Sequence, residues 1–523
     1  MASLPLLIAV VLASVGYIVY QYFSKARLHW ADIPSLPRHF LFGNLLLLRK
    51  YVIPGAHIDY GLERIYLALG EPEWFYLDLF PLPFAHSFIV VTSPSIAEQL
   101  TRSSEQFPYS TAKSKSSSDL GIIAGKSTIF LKNGEDWKSI RKQFAPGFQP
   151  RYLQTRLPQI IEQAKIFLKN LSDKCATGEE FELGLFAKAL TADVIGCMTF
   201  NQSLQAQTHN IDRAANSRPW VIAAFEGVQR NIPRRTDMTL DAMNPVRLMN
   251  QMYYQRTLDS QIRAMVLQSY QESKRGADSS RSIISLALTN TSLAPSQLDT
   301  IVDQVRSFLF AGYDTTSSLI QWLLYYLSLP SNASVLRDLI AEHDQVLGTS
   351  PEATEASLLT NPSLPFTTAV IKETLRLQPP AATARWARPT TDPPFHVVLA
   401  DGRLSKPLNG AVLYINHRII QRSPRAWGPD AHEFRPYRWL DKEYMSRIPA
   451  GAFRAFERGP RDCMGQELAM LEAKVVLAMT MRRFRFEKMG GRKGELGEVW
   501  NVYQLTSSPS DGMRMKVAFR EKQ

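Results

Sequence analysis

The chain has 523 residues, 45% hydrophobic and 21% charged, and its 60 lysines and arginines exceed 48 acidic residues to give a formal charge of +12. This composition excludes collagen-like, low-complexity and wholly disordered classes, and the length allows two domains or one large one. The basic residues are spread through segments of helical spacing and form no arm, so nucleic acid is excluded as an expected partner, whereas an anionic membrane surface or an acidic protein fits. Cys175, Cys197 and Cys463 are odd in number and far apart, which argues against a disulfide framework and for a reducing compartment.

Residues 1–24 carry no charge, and Leu4 to Phe23 is as long as a bilayer core requires, roughly 20 residues. The stretch predicts one N-terminal transmembrane helix; a signal peptide would have a shorter apolar region behind a basic start. Lys25 and Arg27 follow directly, so the positive-inside rule predicts a cytosolic globule and leaves the sequons at Asn170, Asn201, Asn290 and Asn332 unused. Residues 25–45 read as a hinge, with Pro34 and Pro37 stiffening it and Gly43-Asn44 permitting a turn.

Residues 46–523 show no repeat and no dividing linker, and are expected to form one catalytic domain, mainly α with small β-sheets. Strands are predicted near Phe88 to Val91, near Val412 to Ile415, and as a C-terminal hairpin of VYQLTSS and MRMKVAFR around PSDG. EDWKSIRKQF places Trp137 and Arg141 on one helix face. SQLD predicts a helix start, Ser296 and Asp299 forming a capping box, and the apolar spacing then continues to the break near Pro330, about 50 Å away. At its centre AGYDTTS (311–317) puts the weak helix formers Gly312, Asp314, Thr315 and Thr316, a local violation of the kind that marks function. KETLRL sets Glu373 and Arg376 on one face beside Val370 and Leu377, where a buried charge pair calls for a third partner.

In FERGPRDCMG (456–465), Cys463 precedes a segment with Leu468, Leu471, Val475 and Met479 at helical spacing. A cysteine at a helix N-terminus beside Arg461 is expected to have a depressed pKa, and Gly459 and Gly465 allow something bulky to approach. A nucleophile with a histidine base from elsewhere in the fold stays open. Zinc is disfavoured, because no second Cys or His stands at ligand spacing. Haem, which accepts a single protein thiolate, is the economical reading.

FERGPRDCMG resembles the haem-binding loop of the cytochrome P450 family, matching its five fixed positions at Phe456, Gly459, Arg461, Cys463 and Gly465. The resemblance implies the cytochrome P450 fold and haem b, with Cys463 as the axial iron ligand and Arg461 helping to neutralise the haem carboxylates. It further implies that Glu373, Arg376 and Arg438 of FRPYRW form a triad beneath the haem loop, with Tyr437 replacing the commoner acidic neighbour. Trp137 and Arg141 would lie against one haem carboxylate, and Arg385 or Arg388 would meet the second. AGYDTTS resembles the oxygen-binding segment, in which Gly312 makes room, Thr315 holds a hydrogen-bonded oxygen or water, and Asp314 relays protons.

The implied activity is insertion of one oxygen atom from O2 into a lipophilic small molecule. Electrons would come from NADPH through a separate cytochrome P450 reductase, since no GxGxxG opens a helix here. That partner would dock near Lys138, Arg141, Lys142 and Arg458. YINHRIIQRSPRAWGPDAHEFRPYRW resembles fungal microsomal enzymes of secondary metabolism, implying an endoplasmic reticulum protein that acts on a polyketide or terpenoid. Residues 110–125 and Pro219 to Val228 are candidate pocket walls by the same resemblance. Two rivals remain: a haem-thiolate isomerase or dehydratase that does not use O2 and needs the Asp314-Thr315 relay less, and a haem sensor, for which no output module is visible.

Overall fold

A computed structural model describes residues 3–22, 30, 32–39, 42–79, 87–114, 118–208, 219–232, 244–274, 282–288, 294–350, 354–355, 357–358, 364–490, 497, 499–504 and 506–521. Lys25, Arg27, Asn290 and residues 115–117 lie outside these described residues.

The uncharged start forms one helix, Ser3–Tyr22, whose described apolar side chains, Ile8, Val10, Val11, Leu12 and Val15 among them, are exposed. Among the described residues Ile8–Tyr17 is a shorter apolar stretch, and Leu183–Phe200 is the helix long and apolar enough to cross a membrane, but 94% of it is buried inside the fold. It is a core helix. The proline-containing segment that follows the first helix is docked onto the globule. Trp30 and Ile33 pack with Trp74, Tyr76 and Ile89, while Leu36 packs with Leu62, Ile65 and Phe75. Asn44 clamps the turn, its Nδ2 donating to Leu36 O at 2.9 Å and its Oδ1 accepting from Asp78 N at 2.8 Å.

Helices dominate the described residues, and ten short strands form three sheets. In chain order the strands are β1 Trp74–Leu77, β2 Phe88–Val91, β3 Ala112–Lys113, β4 Phe181–Glu182, β5 Thr383–Trp386, β6 Val412–Ile415, β7 Phe484–Lys488, β8 Asn501–Gln504, β9 Thr506–Pro509 and β10 Arg514–Phe519. The largest sheet runs β1-β2-β6-β5-β3, with β2 and β6 parallel and the other pairs antiparallel. Both predicted internal strands occur here, because the β-branched and apolar runs FIVV and VLYI pair directly, Val91 opposite Ile415.

The C-terminal hairpin differs from expectation. VYQLTSS pairs with itself as β8 and β9, Gln504 opposite Thr506, while β10 joins β7 and β4. Burial explains the choice. All four residues of β9 are buried, and Met515 and Val517 of β10 alternate inward as Phe484 and Phe486 of β7 do. A direct β9–β10 pairing would pull the wholly buried strand away from this cover.

The central helix spans Pro295–Ser328, 34 residues, about 51 Å at the standard rise. It begins earlier than Ser296: Ala294 is the N-cap, Pro295 takes the first helical position, and Gln297 Oε1 accepts from Ala294 N at 3.2 Å. Pro295 fits because that position needs no N–H donor. Helix Leu183–Phe200 packs along the central helix, with Ile195 and Val194 in the same buried cluster as Phe308, Leu309 and Leu319. Helix Pro365–Leu377 and the helix after Cys463, Gln466–Thr480, complete this core.

Candidate haem-thiolate active site

Cys463 stands two residues before Gly465, the N-cap of helix Gln466–Thr480, and its N–H donates to Phe456 O at 2.9 Å. Cys463 is exposed, unlike the half-buried Phe456 and Met464 that pack on the core. Its thiol is nevertheless pushed up, not down as the sequence suggested. Desolvation by the surrounding protein outweighs the backbone N–H groups of Gly465 and Gln466 and the charge of Arg141. The helix end acts as expected, but it does not outweigh the desolvation by neighbouring protein atoms. A bound metal cation would hold the thiolate form here.

The two loop glycines have different reasons. A Cβ on Gly465 would sit in ordinary contact, 3.8 Å from Cys463 Sγ, so no protein atom demands glycine there. Gly459 adopts φ +79, and a Cβ on it would come within 2.0 Å of Thr101 O. Packing of the loop on Thr101 is by itself enough to require glycine there.

The structure brings Glu373, Arg376 and Arg438 together as a buried group. Glu373 accepts from Arg376 Nε and Nη2, each at 2.8 Å, from Arg438 Nε at 3.1 Å, from Arg435 N at 2.9 Å and from Trp439 Nε1 at 3.0 Å. Arg376 reaches on to the carbonyls of Gln421, Ala431 and Glu433. Each side-chain nitrogen and oxygen of the three has at least one partner, the condition under which buried charge is tolerable. Tyr437 points elsewhere and donates to Asp338 at 2.6 Å.

The cationic wall is arranged differently from the sequence expectation. Trp137 is buried with Arg461 over its ring at 4.9 Å and Arg141 at 5.7 Å. Arg141 is committed to Asp462, at 2.8 Å to its carbonyl and 2.5 Å to its carboxylate, which ties helix Gly134–Phe144 to the cysteine loop. Arg461 donates to Asn133 Oδ1 at 2.6 Å and to the carbonyls of Ile129 and Lys132, so its direct bonds go to protein. Of the two alternatives, Arg385 is fully buried and Arg388 is exposed. Arg385 donates to Ser110 Oγ at 3.1 Å, and its Nε and Nη2 have no hydrogen-bond partner.

Lys113 lies in the 110–125 segment expected to line the pocket but was not singled out there; it stands opposite Arg385 in the β3–β5 register and is half-buried. Burial first, then Arg385 and Arg461, lower its pKa well below the ordinary lysine range, with Glu457 opposing. Burial likewise lowers Arg461, with Arg385 and Arg141 adding to it. A polar stretch such as STAKSK carried no signal of this. Only the strand register reveals it.

Basic side chains whose charged forms lack counter-charge, beside an open cysteine, fit haem, whose two carboxylates would hold them charged. The central helix fits as well. It is buried around AGYDTTS, yet Ala311, Gly312 and Thr315 are half-buried, so one face is left uncovered by protein. Gly312 also permits the helix crossing, because a Cβ on it would meet Ile195 Cγ1 at 2.8 Å. Thr315 Oγ1 donates to Ala311 O at 2.6 Å.

Asp314 points the other way and is fully buried. Thr506 Oγ1 donates to its Oδ2, and Lys188 Nζ stands 3.9 Å from Oδ1. Lys188 in turn meets Glu226 at 3.3 Å, and Glu226 meets the largely exposed Arg230 at 2.7 Å. Desolvation raises the Asp314 carboxyl above the ordinary range, and Lys188 chiefly opposes it. Lys188 was not legible as a site residue, and Glu226 was covered only by the Pro219 to Val228 segment expected to line the pocket. Of the expected docking cations, Lys138 and Lys142 are exposed and Arg458 is paired with Glu98 at 2.8 Å.

Fold and site together define a haem-thiolate oxidoreductase. A cytochrome P450 family model matches residues 34–511, and the chain belongs to that family. It is 31% identical over 504 residues to cytochrome P450 monooxygenase acrF of Aspergillus aculeatus, covering 88% of this chain and 96% of that protein. It is 29% identical to cytochrome P450 monooxygenase polC of Polytolypa hystricis, over 92% of this chain and 86% of that protein. A bifunctional cytochrome P450/NADPH–P450 reductase of Aspergillus oryzae is 36% identical over 192 residues, 36% of this chain and 16% of that protein. The chain is thus a cytochrome P450 monooxygenase that uses haem b, similar to fungal enzymes of this class.

Proposed function

We propose that this enzyme inserts one oxygen atom from O2 into a lipophilic intermediate of fungal secondary metabolism, with a polyketide or terpenoid as substrate. The observation that carries the reading is Cys463, an exposed cysteine in the FERGPRDCMG loop, together with the buried Arg385, whose Nε and Nη2 lack a hydrogen-bond partner. When bound, haem supplies the activation of dioxygen and its transfer to carbon.

In this reading Cys463 Sγ holds the iron, and Lys113, Arg385 and Arg461 supply the positive field for the haem carboxylates, with Trp137 and Arg141 bracing the loop. Glu373, Arg376 and Arg438 fix the segment beneath it. Thr315 presents its hydroxyl at the uncovered face of the central helix and would donate a hydrogen bond to what binds there once it releases Ala311 O. Asp314 holds a proton at Oδ1 on the opposite side of the helix, connected by Lys188 and Glu226 towards Arg230 at the surface, and would have to turn its carboxyl to the Thr315 face to hand that proton on. The buried carboxyl is suited to this, because desolvation favours its protonated form while Lys188 keeps the carboxylate within reach.

Residues 1–24 serve as a single membrane anchor in the endoplasmic reticulum, residues 25–45 connect it to the globule, and residues 46–523 form the haem-binding catalytic domain in the cytosol. The Ser3–Tyr22 helix, uncharged throughout, supports that topology. Electrons arrive from NADPH through a separate reductase, which meets the Lys138, Lys142 and Arg458 face. The test is a metabolite comparison of the source strain with and without this chain under labelled oxygen gas. A lost product carrying one labelled oxygen more than the accumulated precursor is expected. Precursor and product of equal mass, without label, would replace oxygenation by rearrangement.

A further inference from the structure

Glu457 sits six residues before the iron-binding cysteine in left-handed backbone, φ 58, where glycine would be relaxed and a glutamate is not. Its side chain offsets that. The carboxylate is buried, and its Oε1 accepts from Arg454 Nη2 at 2.6 Å and Nε at 3.1 Å. Its Oε2 has no hydrogen-bond partner, and faces Arg385 Nη2 at 3.7 Å and His417 Nε2 at 3.6 Å. Nor do Arg385 Nε and Nη2 or either ring nitrogen of His417 have a partner. Arg385 Nη2 and His417 Nε2 thus both face the one unpaired carboxylate oxygen, and Arg385 stands opposite Lys113 in the strand register.

We infer that Glu457 is a positioning residue that orients Arg385 and supplies the counter-charge to the Lys113–Arg385 wall, and thereby sets the reduction potential of the haem. The inference rests on the haem-thiolate reading. Lys113 and Arg385 have Glu457 as their nearby carboxylate, so it governs how much positive field the strand pair presents to a haem edge. Removing the carboxylate favours the reduced, more negative haem, and removing Lys113 disfavours it.

The test is a spectroelectrochemical titration of the haem-loaded full chain. Glu457→Gln is expected to move the midpoint potential positive, Glu457→Asp to return it towards wild type, and Lys113→Met to move it negative. His417→Gln, which disturbs packing at the same spot and keeps the carboxylate, is expected to leave it nearly unchanged. An unmoved potential in haem-loaded Glu457→Gln, or an equal shift in His417→Gln, overturns the inference. Should Glu457→Gln fail to hold haem, a Lys113→Met potential that is unmoved or shifted positive overturns it instead. Failure of the wild-type chain to bind haem would sink the haem-thiolate reading itself, a separate outcome.

Discussion

Replacing Glu373 by Gln keeps the shape of the triad and removes its one negative charge. The glutamate accepts five hydrogen bonds, three at Oε1 and two at Oε2. With the amide nitrogen in the Oε2 position, Arg376 Nε and Trp439 Nε1 both lose their acceptor; the opposite orientation strands Arg376 Nη2, Arg438 Nε and Arg435 N. Either way two buried guanidiniums face no carboxylate in the group's centre. Breaking such a buried pair costs about 3–5 kcal/mol, a large share of the roughly 5–15 kcal/mol that holds a typical domain. Because Arg376 and Arg438 also carry the carbonyls of residues 421–433, the damage should spread to the segment under the cysteine loop. Urea titration of the haem-loaded protein, followed by haem absorbance and tryptophan fluorescence, measures it. Haem should be released well before global unfolding. A variant that keeps haem and the wild-type midpoint to within about 1 kcal/mol would refute the reasoning.

Asp314→Asn is expected to slow turnover roughly 100-fold, the lower end of acid–base contributions, with haem content unchanged. Lys188→Met removes the main cation that lowers Asp314, so the alkaline limb of the turnover pH profile should move to higher pH; an unmoved limb contradicts the relay. Glu472, buried on the helix after Cys463 with Oε1 unpaired, is pushed up to about 8 by desolvation alone. Its folded value exceeds the unfolded value of about 4.3, so the fold is favoured at low pH and loses stability as pH rises between the two, by about 3–4 kcal/mol at pH 7. Glu472→Gln should match wild type near pH 4 and be more stable at pH 8, as read from urea midpoints; a gap independent of pH would contradict it.

The family-defining loop was legible because its chemistry is local: Phe456, Gly459, Arg461, Cys463 and Gly465 fall within ten residues. The Glu373-Arg376 pair was legible too, since burial next to Val370 and Leu377 demanded a third charge. Contacts between distant segments were not. Arg141 and Asp462 are 321 residues apart, Asp314 and Thr506 are 192, and nothing in either stretch announces the other. Lys113 became a site residue only through its register with Arg385. The C-terminal turn misled because PSDG has the right residues for a hairpin, whereas the wholly buried face of β9 decided the pairing. The cysteine pKa misled because helix ends are visible in sequence and desolvation is not.

The thiolate ligation itself is tested most directly by the absorption band of the carbon monoxide adduct of the reduced, haem-loaded protein, compared between wild type and Cys463→His. The wild-type band should stand at the long-wavelength position that a thiolate ligand produces, and the variant band at the shorter wavelength of an imidazole ligand. A variant that binds haem and keeps the wild-type band would show that Cys463 is not the ligand.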